Sequence, residues 1–126
     1  MIDSHFKCSE FACFKYGCQG YCKKKEQEIR LDTQNAMNEI VAERQRQILD
    51  EGFDANHDDQ YRDNQLIAAA VIYLLHIMRG AITNSLFVKI WPWDWEWWKP
   101  SSRRRNLVKA GALVMAELER MERAGE

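Results

Sequence analysis

The chain has 126 residues, 46% of them hydrophobic, with a formal net charge of −1 and an isoelectric point near 6.3. That is enough apolar material for one compact domain with its own core, without disulfide staples. The near-neutral balance excludes a dedicated binder of extended nucleic acid, which needs a clear basic excess.

The opening MIDSHFKC has neither the basic nor the apolar region of a secretory signal, and the longest apolar run, Leu66 to Met78 with His76 inside it, is too short to span a bilayer. The expectation is a soluble cytoplasmic protein with no membrane partner. In a reducing compartment structural disulfides are disfavoured.

Residues 1–23 read as an irregular module. Cys8, Cys13, Cys18 and Cys22 are separated by four, four and three residues, with His5 nearby as a further nitrogen donor. Four soft ligands this close can wrap a tetrahedral zinc ion, and four thiolates leave no open position, so zinc here would be structural. Two other readings stay open. The cysteines are free thiols packed with Phe6, Phe11, Phe14, Tyr16 and Tyr21, or they form disulfides.

The helical domain, residues 24–126, follows. From about Lys24 to Asp50, Ile29, Ala36, Met37, Ile40, Val41, Ile48 and Leu49 recur at helical spacings, which predicts a long amphipathic helix stopped by Gly52. FDANHDDQYRDN is a loop ending in Asp59 or Asp63 as a helix cap. LIAAAVIYLLHIM is apolar nearly all round, as in a helix surrounded by others, and Gly80 ends it. Residues 81–90 fit either a short extended piece or a helical turn.

IWPWDWEWWKP places Trp91, Trp93, Trp95, Trp97 and Trp98 between Pro92 and Pro100, and prolines at these positions exclude a regular helix. In an extended segment 91, 93, 95 and 97 would share one face. That face either closes the core or stays partly exposed as a binding surface. Ser101 or Ser102 then caps a last helix to about Arg123, with Leu107, Val108, Gly111, Val114, Met115, Leu118 and Met121 as its apolar face. The fold class is all-α: three main helices in a small bundle, with the cysteine module in front and the tryptophan loop before the last helix.

Two charged constellations are candidate sites. His57, Asp58 and Asp59, with Glu43, Asp54 and Asp63 in reach, either bind a divalent cation or cap helices and pair with arginines. Arg103, Arg104 and Arg105 occupy the first turn of the last helix, where the helix dipole disfavours cations. Compensation comes from the acidic loop or from an external anion such as phosphate. In the second case Trp95, Trp97 and Trp98 stand next to the arginines, ready to stack a base.

AERQRQILDEGFDANHDDQY, the alanine-rich helix and WPWDWEWWKPSSRRRNLVKAGALVMAELERM together resemble a group of small phage- and prophage-encoded proteins over roughly residues 39–123. A weaker resemblance runs to the all-α MazG-like nucleotide pyrophosphohydrolases, which open with a similar ER-x-RQ helix and hold magnesium with an ExxE pair followed by an ExxD pair. Glu39 and Glu43 have one residue too many between them for the first pair. Glu51 and Asp54 straddle Gly52, Glu119 and Glu122 come last in order, and Asn106 and Lys109 stand where the ExxD acids belong.

The leading expectation is a phage-encoded, non-enzymatic binding protein, self-associating and cytoplasmic in an infected bacterial host. It acts through Trp95, Trp97, Trp98, Arg103, Arg104 and Arg105 on a nucleotide-like anion or a host protein. An anti-defence role rests on the phage resemblance alone. The alternatives are a magnesium-dependent pyrophosphohydrolase using Glu39, Glu43, Asp58 and Asp59, and a purely structural oligomer subunit.

Overall fold

The structure is a computed structural model describing residues 21–79 and 84–126. Its elements are α1 (Tyr21–Glu51), α2 (Ala55–Asp58), α3 (Gln65–Arg79), α4 (Asn84–Ile90), a 3₁₀ turn at Trp95–Trp97, and α5 (Arg103–Ala124). It is all-α, with α1, α3 and α5 as the three main helices. Two compact units divide at Met37/Asn38. In the first, the described residues belong to α1, where Arg30 Nη2 donates to Glu26 Oε1 at 3.1 Å across one turn. The core and the cleft described below lie within residues 38–126. No helix among the described residues is long and apolar enough to cross a membrane.

The core lies between α3 and α5. Leu66, Ala69, Ala70, Ile72 and Tyr73 of α3 are buried against Ala110, Leu113 and Ala116 of α5, and Phe87 of α4 and Trp91 close one end. Alanines on both helices let the two backbones approach, and the larger Leu66, Ile72 and Leu113 fill the space between them.

Both ends of α5 are fixed by local chemistry. Ser102 Oγ accepts from the Arg105 amide at 3.3 Å, as an N-cap does. The buried Asn106 side chain accepts from the Ser101 amide at 2.8 Å and donates to the Ser101 carbonyl at 3.1 Å, which clasps the incoming chain. At the far end Gly125 takes φ 74°, and the Gly125 and Glu126 amides bond the Glu122 and Met121 carbonyls at 3.2 and 3.0 Å. That is a Schellman closure, which glycine permits without steric cost. Gly52, at φ 75°, ends α1 as predicted.

Helix orientation departs from the sequence reading. Ile29, Met37, Val41 and Leu49 of α1 are exposed, and the residues it buries are Glu43, Arg44 and Gln47. At roughly 100° per residue the apolar positions of α1 scatter over more than half its circumference, so no single stripe competes with the charged one. On α5, Leu107, Val114 and Leu118 are exposed. The buried face runs instead through Asn106, Val108, Ala110, Ala112, Leu113, Ala116, Glu117 and Arg120. Close approach to α3 selects alanine, which hydrophobicity alone does not single out.

The loops differ too. Asp54 caps α2, accepting from the His57 amide at 3.0 Å, whereas Asp59 sits at the C-terminal end of that helix and Asp63 precedes Asn64, a residue at φ 63° just before α3. Residues Asn84–Ile90 resolve as helix. Gly80 falls outside the described residues. The expected all-tryptophan face does not form, because the Trp97 and Trp98 amides bond back to the Asp94 and Trp95 carbonyls at 3.1 and 3.0 Å. The turn breaks the alternation. Trp91 is buried, Trp93 and Trp98 pack on the core, and Trp95 is 66% exposed.

Candidate functional site: a cationic, tryptophan-walled cleft

Three walls enclose a cleft of about 230 Å³. One is a stripe of α1, Glu43, Gln47 and Glu51 at intervals of four with Arg46 beside them, and another is the stripe Arg105, Lys109 and Leu113 of α5. The third is aromatic: Phe53, Tyr73, Trp91, Trp93 and Trp97, with Lys99 at its edge. Edge-on contacts join Trp91 to Trp93 and Tyr61 to Trp93, with ring centroids 5.5 and 5.6 Å apart, and Phe53 lies tilted against Trp97 at 5.2 Å.

Glu43 organises the charge. Arg46 grips it bidentately at 2.9 and 3.0 Å, Arg105 Nη2 donates to it at 2.5 Å, and Gln47 Nε2 lies 3.4 Å away. Burial by itself pushes the Glu43 carboxyl up, but the hydrogen bonds from Arg46 and Arg105 outweigh it and bring it down to about 2. Arg46 also donates to Glu51 Oε1 at 3.1 Å, and its own pKa is raised, chiefly by Glu43. Four cations, Arg46, Lys99, Arg105 and Lys109, face two carboxylates, Glu43 and Glu51, so the lining carries an excess of two positive charges.

Lys109 Nζ donates to the Lys99 carbonyl at 2.6 Å and lies 5.7 Å from the Tyr73 ring centre, while Lys99 Nζ lies 5.3 Å from that of Trp97. Burial and then the neighbouring Arg105 lower the Lys109 pKa. Burial pushes the Tyr73 hydroxyl up to about 12, against a hydrogen bond from the Lys99 backbone. Tyr73 is therefore a neutral donor at physiological pH. Among the described residues, two buried side-chain atoms have no hydrogen-bond partner, Gln47 Oε1 and Trp93 Nε1, and both residues line this cleft.

Two of the three arginines at the start of α5 are compensated from within the chain, by α1 in place of the acidic loop. Arg104 pairs with Glu39, whose pKa is lowered first by that hydrogen bond, and Arg105 pairs with Glu43. Arg103 is exposed. Of the six residues expected to bind ligand, the cleft brings together Trp97 and Arg105. Trp98 packs against Tyr73 and Phe87 at 4.7 and 5.4 Å, and Trp95 leans on the outside of Phe87 at 5.1 Å.

The four carboxylates of the hydrolase reading do not converge. Glu39 and Glu43 go to Arg104 and to Arg46 with Arg105. Asp58 is fully buried, 2.6 Å from Arg44 Nη2 and 2.9 Å from His57 Nδ1, and Asp59 pairs with Arg123 at 2.8 Å. Among the described residues, no three His, Cys, Asp or Glu side chains are grouped to hold a metal ion, so these acids do not fit a magnesium centre. Cys8, Cys13 and Cys18 lie outside the described residues, and of Cys22 only the backbone, in the first turn of α1, is described.

Comparisons with protein-family models, curated proteins and solved structures find no match to this chain. Arg46, Gln47, Lys99 and Lys109 were not among the sequence candidates. The interval of four that aligns 43, 47 and 51 on one helix and 105, 109 and 113 on another points to Gln47 and Lys109; nothing comparable in the sequence singles out Arg46 or Lys99.

Proposed function

We propose that this protein binds, without transforming it, a small anionic ligand that carries an aromatic ring, of the nucleotide class. The observation that carries this reading is the pairing of an excess of two positive charges with a tryptophan and tyrosine wall in one cleft. Arginine and lysine take up phosphate or carboxylate oxygens, and the rings stack on a flat base. At about 230 Å³ the cleft lies below the range for drug-sized ligands, which suits one ring with its anionic group.

The resemblance to phage-encoded proteins extends the proposal to sequestration of such a ligand in an infected cell, with an anti-defence outcome. The exposed Leu107, Val114 and Leu118 on α5 support the further expectation of self-association.

Calorimetric titration with nucleoside mono-, di- and triphosphates tests the reading. Wild-type protein binds at least one of them, and Lys99→Ala with Lys109→Met weakens binding by about tenfold or more, as loss of two charge-assisted contacts predicts. Magnesium-dependent release of pyrophosphate from a nucleoside triphosphate would overturn the non-enzymatic part.

A further inference from the structure

Two orphaned polar atoms in one cleft need a physical explanation. Leaving a buried donor or acceptor unmet costs about 1–3 kcal/mol, and native proteins carry few such groups. Gln47 is 4% exposed, and its amide cannot turn over, because that would set Oε1 against the Glu43 carboxylate where Nε2 now lies at 3.4 Å. Its oxygen therefore stays an acceptor without a donor. Trp93 Nε1 is a donor only, held by rings on two sides, with Trp91 and Tyr61 at 5.5 and 5.6 Å. One unmet acceptor and one unmet donor thus belong to two residues that line the same cleft.

We infer that Gln47 Oε1 and Trp93 Nε1 read the hydrogen-bonding edge of a nucleobase-like ring, the first accepting an N–H from the ligand and the second donating to its carbonyl or ring nitrogen. This rests on the reading of the cleft as the site for an anionic aromatic ligand. Adjacent donor and acceptor groups are what every common nucleobase presents: an amino group beside a ring nitrogen, or a ring N–H beside a carbonyl. A base-free phosphate has nothing to offer these atoms. Both atoms lie beneath the cleft surface, so the ring edge has to reach the floor. The lining side chains with the most room to give way are Lys99, 58% exposed, and Trp97, 39% exposed.

The trade-off is distinctive. Removing either group relieves an unmet buried polar atom in the free protein, which offsets the lost Glu43 contact of Gln47 or the lost ring packing of Trp93, and deletes a contact in the complex, so affinity falls further than stability. The test is titration of wild type, Gln47→Met and Trp93→Phe with the 5′-monophosphates of adenosine, guanosine, cytidine and uridine and with ribose 5-phosphate, alongside thermal unfolding. Wild type is expected to bind at least one nucleotide tenfold or more tighter than ribose 5-phosphate. Each variant is expected to lose about tenfold in affinity for that nucleotide, keep its affinity for ribose 5-phosphate, and retain a cooperative unfolding transition. Equal binding of nucleotides and ribose 5-phosphate by wild type, or equal weakening of both by the variants, overturns the base-edge assignment and leaves the anionic cleft standing. No binding of any of the five by wild type overturns both. If Trp93→Phe does not fold, Gln47→Met decides alone.

Discussion

Helix α5 meets its two large neighbours in different ways. Toward α3 it presents Ala110, Leu113 and Ala116 and closes to direct packing, whereas toward α1 it reaches out with Arg104, Arg105 and Glu119, which meet Glu39, Glu43 and Arg44. The first contact is short-range and apolar, so it holds the fold and leaves no room. Long charged side chains keep the second pair of helices apart, and the gap they leave is where the cleft forms. Gly111 marks the exception on that side, since a Cβ there would stand 3.0 Å from Ile40 Cδ1.

The largest effect expected on this contrast comes from the ionic side. Arg44, 3% exposed, bonds Asp58 at 2.6 Å, Glu119 at 2.8 Å and the Phe53 carbonyl at 2.9 Å. Arg44→Met leaves the buried Asp58 without its guanidinium, with only the His57 ring beside it, and is expected to cost about 3–5 kcal/mol in urea unfolding. The double variant with Asp58→Asn should recover a good part of that loss; a cost below about 1 kcal/mol for the single change would show that this side contributes little.

Next comes overpacking of the apolar side. Ala116 is 1% exposed in the core against α3, and Ala116→Leu is expected to cost about 1–3 kcal/mol, whereas Val114→Leu, two residues earlier at a 41% exposed position, stays within about 0.5 kcal/mol. Equal effects at the two sites would erase the difference between the faces.

The smallest effect is the dependence on pH. Glu43 titrates at about 2 in the folded chain against an ordinary value of 4.5, so its contribution is fully present above about 4.5 and is lost as the pH falls toward 2. Glu43→Gln lacks that contribution. The stability advantage of wild type over this variant, read from urea midpoints at pH 5 and pH 2.5, should therefore shrink at the lower pH.

Helix limits were legible in the sequence because their signals are local: Gly52 at one end and Ser102 at another act within a turn. Helix facing was not. The apolar residues of α1 spread around the cylinder, and the alanines that let α5 approach α3 carry too little hydrophobicity to outweigh Leu107, Val114 and Leu118. The tryptophan segment misled for another reason, since two prolines forbid a regular helix but permit the three-residue turn that reverses Trp95. Part of the site was visible, with Trp97 and Arg105 named in advance. Its other cations depend on a fold that brings Arg46 to face Lys99, Arg105 and Lys109, more than fifty residues along the chain.

The grouping of every tryptophan within residues 91–98 has a spectroscopic consequence. Indole emission from this chain arises from one corner of the molecule, with Trp91, Trp93 and Trp97 on the cleft wall and the exposed Trp95 as a reference open to aqueous quenchers. Without any added label, the intrinsic fluorescence of the whole protein is a reporter of that cleft.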